Sequence, residues 1–169
     1  MSEHEELAER VTALEERMAL LEGARERPAG PDPEAFWALR GFQERLRDPD
    51  GGVLFTGSVR LPTGEFYEWQ RGAPAADLLT RDWSELSGAF AALGHPVRLL
   101  LLRQVLGGAR TVAELREHES LGTTGQLYHH LRQLVAAGWL HAGGRGQYTV
   151  PGTRVVPLLV LLAIGADPG

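Results

Sequence analysis

The residues whose types and spacing suit chemistry lie between positions 123 and 145. Thr124, Gln126, His129, Arg132 and Gln133 fall on one side of a helical wheel, opposite Leu127, Leu131, Leu134 and Val135. The apolar steps of four, three and one make a single stripe at helical period, so the polar set faces outward. None of the outward residues is acidic. A glutamine amide can pair with adenine, and arginine or histidine can reach guanine or a phosphate, which is the chemistry of a helix in the major groove of duplex DNA. Catalytic chemistry fits poorly. Thr123, His129 and Glu119 are close in sequence, but a pair of short helices supplies neither an enclosed pocket nor oxyanion donors. The stretch Gly143-Gly144-Arg145-Gly146 lacks the strand-to-helix setting that a phosphate loop needs. No enzyme is expected.

These residues need elements to hold them. Thr111 followed by Glu114 is a capping-box signature that opens a first helix through Val112 and Leu115. Leu121-Gly122 reads as the turn, and Thr123 or Thr124 as the cap of the second helix. Gly138 is placed to end that helix in a left-handed conformation. Trp139-Leu140-His141 and Gln147-Tyr148-Thr149-Val150 then flank the glycine-rich tip as two short strands. Arg145 at that tip is placed to reach a phosphate or the minor groove.

Together with Leu93-Gly94-His95-Pro96-Val97-Arg98-Leu99, with Leu127-Tyr128-His129-His130-Leu131, and with Ala137-Gly138-Trp139-Leu140, this order of elements resembles the winged helix-turn-helix regulators of the ArsR type. The resemblance covers residues 84–166, about half of the chain. It implies DNA-facing positions at Thr123, Thr124, Gln126, Tyr128, His129 and Arg132, with Arg145 on the wing and His130 turned toward the core. The metal chemistry of that family does not carry over. The chain has no cysteine, and residues 154–166 hold no His, Asp or Glu. The six histidines are scattered. His129 and His130 diverge by about 100° on a helix, a poor chelate. Neither a metal nor a cofactor is expected.

With 169 residues, 43% hydrophobic and 23% charged, the chain has room for one ordinary core, or a small core plus an extension. The net charge of −5 argues against nucleic acid until it is divided by region. Residues 84–169 carry seven Arg and five carboxylates, while residues 1–83 carry ten Arg and seventeen carboxylates. The negative charge therefore lies away from the candidate DNA-binding half, whose own excess of positive charge is modest. Every basic residue is Arg, which fits a GC-rich coding bias more simply than selection for phosphate contacts. The charged N-terminus has no apolar signal core. The longest apolar run, residues 155–164, spans about 15 Å as a helix, too short for a bilayer. A cytoplasmic protein without a membrane segment is expected.

The remaining chain divides into two expected segments before the winged domain at 84–169. Residues 1–27 carry a heptad seam of Leu7, Val11, Leu14, Met18 and Leu21. Arg10 and Arg17 at g positions face Glu15 and Glu22 at e positions in a parallel pair, which favours a coiled-coil homodimer. A helix folded back on its own domain is the alternative. Residues 28–83 then read as a proline-rich linker, a helix over 34–47 with Phe36, Leu39, Phe42 or Gln43 and Leu46 on one side, and a β-hairpin over 53–70 that turns at Pro62-Thr63-Gly64. A lone hairpin is marginal in water, so it needs cover from the preceding helix, the winged domain or a partner's hairpin. The aromatic residues around it suit a ligand pocket or, more simply, a small core. The final helix is apolar on nearly every side. Its second face needs a second subunit, which makes Leu158, Leu159 and Leu162 dimer-surface candidates.

The expected fold class is mainly α with small β: a winged helix-turn-helix domain preceded by a coiled-coil helix and by a helix plus hairpin. The leading functional expectation is a homodimeric, sequence-specific DNA-binding transcriptional regulator whose partners are double-stranded DNA and a second copy. A small-molecule or protein effector of unspecified chemistry fits the hairpin region. The competing reading is a protein-interaction or scaffold module, since a fold alone does not settle function.

Overall fold

The computed structural model describes residues 10–12, 14, 15, 18, 34–117 and 123–166, Arg145 in its backbone only. The chain is mainly α with small β and divides into two compact units, Met1–Leu46 and Arg47–Gly169. The hairpin therefore belongs to the same unit as the helices that follow it.

In the first unit, Arg10, Val11, Thr12, Leu14, Glu15 and Met18 are helical, and Val11, Leu14 and Met18 are 47%, 58% and 57% exposed. Leu7 and Leu21 of the expected seam lie outside the described residues. Helix α1, Trp37–Gln43, is shorter than the sequence pattern suggests. Its N-cap is Phe36, which makes no side-chain capping bond. Residues 34–36 form only a turn. Phe36, Trp37 and Leu39 stay exposed.

The second unit opens with strands β1, Gly52–Arg60, and β2, Phe66–Pro74, paired antiparallel in the register Gly57↔Trp69 and Val59↔Tyr67. The hairpin is longer at both ends than the alternation alone suggests. Its turn is where the sequence puts it. Gly64 takes φ +86°, and its N–H donates to the Leu61 carbonyl, a conformation that glycine adopts without penalty. Helix α2, Ala75–Thr80, and a 3-10 turn, Trp83–Leu86, lead to α3, Ser87–Leu93. His95 then breaks the chain and caps α4, Pro96–Leu106, by accepting from the Val97 N–H at 3.2 Å. Proline in the first turn suits that start.

Helix α5, Val112–Leu115, carries the expected capping box. The Glu114 carboxylate accepts from the backbone N–H groups of Arg110 and Thr111, both at 2.7 Å. Residues 118–122, including the expected Leu121-Gly122 turn, lie outside the described residues. Helix α6, Thr124–Ala136, ends as expected at Gly138, φ +72°. There the Trp139 N–H reaches back to the Leu134 carbonyl, as in a Schellman motif. Strands β3, His141–Ala142, and β4, Tyr148–Thr149, make a two-residue ladder. They are shorter than expected because the Trp139 and Leu140 N–H groups donate to the Leu134 carbonyl at the end of α6 instead of extending the ladder. A bridge between Thr111 and Gln147 ties the return strand to the start of α5.

Helix α7, Gly152–Ala166, organises the packing of this unit. Val155 and Leu158 join the core made by Leu101, Leu102, Val105, Leu115, Leu127, Leu131 and Leu134. Val156 points the other way, onto the hairpin. A Cβ on Gly57 would sit 2.6 Å from Val156 Cγ1, so the strand and helix meet where the strand has no side chain. This changes two expectations. The second face of the last helix is covered in part by the hairpin of the same chain. Leu158, 1% exposed, is core and not a dimer-surface residue. Leu159 is partly buried against the same core, and only Leu162, at 43%, remains open among the three. An ion pair of 2.8 Å between Arg110 and Glu65 fixes the hairpin turn to the segment before α5.

Among the described residues no single helix is long and apolar enough to cross a membrane. The segments Trp83–Leu93 and Pro96–Leu106 reach that length only together, across a 75° bend, and Leu101, Leu102 and Val105 of the second are core residues.

Two outcomes follow. Gly57→Ala overpacks the β1–α7 contact and lowers stability by about 1–3 kcal/mol. Val156→Ala in the same chain recovers part of that loss, and a urea-unfolding double-mutant cycle measures the coupling. The Glu114 carboxyl is held below its ordinary value, chiefly by the Arg110 and Thr111 N–H groups. Its stabilisation is therefore present above the unfolded carboxyl pKa and lost as pH falls through the lowered folded value. Glu114→Gln flattens the acid limb of a melting-temperature profile.

Candidate nucleic-acid interface

Helix α6 has two faces because its leucines are locked. Leu127, Leu131 and Leu134 are at most 1% exposed, which fixes the rotation of the helix and turns the remaining side chains outward. Thr124, Gln126, Tyr128, His129 and Arg132 are exposed, Tyr128 at 44%. The helix sequence contains no acid. These five expected positions are all exposed, with Tyr128, His129 and Arg132 on one side of the helix. Thr123 sits at its edge as the N-cap, and Arg145 belongs to the 3-10 turn Gly144–Gly146 between β3 and β4.

Two of these residues have a further task. The Thr123 hydroxyl accepts from the Gln126 N–H at 3.3 Å, and the Gln126 side-chain oxygen accepts from the Thr123 N–H at 2.8 Å. This reciprocal capping box starts the helix. Gln126 must leave it to offer both amide atoms to an adenine, so Tyr128, His129 and Arg132 are the freer groups on this face. The Thr-x-x-Gln spacing that produces the box is visible in the sequence, where only the threonine cap is anticipated.

His130, expected toward the core, is half-buried, and its Nδ1 has no hydrogen-bond partner among the described residues. Its ring meets that of His95 at a centroid distance of 4.6 Å, and His129 stands edge-on at 5.7 Å. Arg98 borders the same corner. Its guanidinium donates to the carbonyls of Ala91 and Ala92 at 2.6 and 2.5 Å, a favourable place for a cation at a helix C-terminus. Burial lowers the His130 pKa first, and His95, Arg98 and His129 lower it further. No sequence spacing announces the pairing of His95 with His130, which are brought together only by the packing of α4 on α6.

Other distant contacts steady the end of α6. The Trp139 indole N–H donates to the Ala89 carbonyl at 2.9 Å, and the Arg154 guanidinium lies 4.9 Å from the Trp139 ring centroid, a cation–π contact. Among the described residues no group of three or more His, Cys, Asp or Glu side chains is arranged to hold a metal ion. No protein-family model, curated protein or solved structure matches this chain.

Thr123→Ala removes half of the capping box and costs about 0.5–2 kcal/mol, whereas Gln126→Glu keeps a good acceptor at the same position. Urea unfolding of the two variants separates them: the first is clearly less stable than the parent and the second is close to it.

Proposed function

We propose that this chain is a homodimeric, sequence-specific DNA-binding regulator of transcription whose residues 84–166 work as a winged helix-turn-helix of the ArsR kind. The observation that carries this reading is the surface of α6. An exposed, acid-free face bearing Tyr128, His129 and Arg132 is held rigidly by three fully buried leucines. A short helix precedes it and a small hairpin follows it. In this reading Thr124, Tyr128 and His129 meet base edges, Gln126 does so on leaving its cap, and Thr123, Arg132 and Arg145 hold phosphates. Two such helices, about 34 Å apart in a dimer, read a two-fold symmetric site. Leu162 and Ile164, 43% and 67% exposed at the end of α7, and the exposed Val11, Leu14 and Met18 are apolar surface that a second copy would cover.

A protein-interaction module is the second reading. Val53, Leu79, Trp83 and Phe90 favour it, since each is more than half exposed and large exposed apolar groups mark partner surfaces when they are contiguous.

Selection of bound duplexes from a random pool tests the first reading against the second. The expected result is an enriched two-fold motif, bound more weakly by Arg132→Ala with the salt slope reduced by about 1. Gln126→Glu keeps the helix start and loses preference at one base position. Leu162→Glu shifts sedimentation toward the monomer. Absence of enrichment at any salt concentration overturns the DNA reading and leaves the interaction module.

A further inference from the structure

A cluster of basic rings lies beneath the exposed face of α6. His130 packs its ring on that of His95, the N-cap of α4, and His129 stands beside it. Arg98, anchored on the Ala91 and Ala92 carbonyls, is the remaining charge near it. Helix α3, which also packs on α6, contributes those carbonyls but no titratable side chain. Among the described residues, every electrostatic influence on His130 therefore opposes a proton. The His130 Nδ1 is buried without a partner, and no neighbouring carboxylate among those residues is placed to share the charge.

We propose that the His95–His130 ring pair is a proton-operated latch that seats the N-terminal half of α6 on the start of α4 and loosens as the medium acidifies. With His130 neutral, its ring meets that of His95 at a 43° tilt with centroids 4.6 Å apart. Protonation of His130 adds a positive charge beside two further imidazoles and near Arg98, at a partly buried position. The ring relieves this by moving toward water, which perturbs the backbone of α6 around it. His95 ties this movement to α4, because its Nδ1 caps that helix by accepting from the Val97 N–H. Histidine is the side chain whose ordinary pKa puts such a change within reach of cellular pH.

The sign follows from linkage. The folded-state pKa of His130 lies below its ordinary 6.5. The packed, neutral form contributes stability above that ordinary value, and the contribution is lost as pH falls through the lower folded value. Acid therefore weakens the seat of α6. A consequence for DNA affinity rests on the reading given above. The measurements that follow need no DNA, so they fail or succeed separately from it.

The test uses the full chain. Proton NMR of the histidine rings from pH 8 to pH 5 is expected to give His130 a midpoint below 6.5. The backbone amides of residues 127–131 should shift with that same midpoint. Melting temperature is then compared across the same range with His130→Phe, which keeps a ring and cannot take a proton. The parent is expected to lose melting temperature more steeply than the variant below pH 6.5. A His130 midpoint at or above 6.5, amides that do not follow it, or superimposable profiles overturns the latch. If His130→Phe does not fold, the ring and amide titrations of the parent decide the matter alone.

Discussion

The close approach of α7 to β1 at Gly57 is the constraint on which the second unit depends. The helix is apolar on nearly every side, and burying it requires two covers. The helical core takes Val155 and Leu158, while the hairpin takes Val156, and it can do so only because Gly57 offers backbone where a side chain would collide. A hairpin of two strands is marginal alone. Here it gains a helix to lie on, and the helix gains a wall. The Arg110–Glu65 pair then pins the turn of the hairpin to the segment that opens α5. Exposed pairs of this kind add little energy, so its consequence is orientation more than strength.

The packing continues inward from that wall to α6. With Val155 and Leu158 in place, Leu101, Leu102 and Val105 of α4 present a continuous apolar surface, and Leu127, Leu131 and Leu134 close onto it. The rotation of α6 is thus decided by packing, and its polar side is left to solvent. The capping box at Thr123 and Gln126 and the left-handed Gly138 set where the helix begins and ends. The same rotation that exposes His129 drives His130 half into the interior, against His95. One packing decision therefore produces both the outward surface and the basic corner behind it. A helix so held is rigid where its leucines are and sensitive where its histidine is.

Much of this was legible because it is local. The box at Thr111 and Glu114, the cap at Gly138, the turn at Gly64 and the leucine stripe of α6 all come from steps of at most four positions along the chain. Their physics is that of a single turn of chain. The inward lean of His130 was implied by the family resemblance, and its ring is half-buried. One side chain has two possible partners: the Gln126 oxygen accepts from the Thr123 N–H in the capping box, and the same amide is the one expected at a base edge.

What the sequence by itself determined is the mainly α with small β class, the hairpin at Gly64, the caps at Thr111 and Gly138, and which face of α6 is apolar, since each depends on short-range periodicity and capping. What only the tertiary structure decided is which surfaces meet. The sequence pattern shows that the last helix needs cover on two sides, but not that residues about 100 positions earlier supply one of them. Leu158 and Leu162 are the same residue type, four apart on that helix, yet one is sealed in the core and the other is open. Likewise His95 and His130 become neighbours only through the seat of α4 on α6. Hydrophobic burial is non-directional. It names the residues that must leave water, and the shapes of the assembled elements choose their partners.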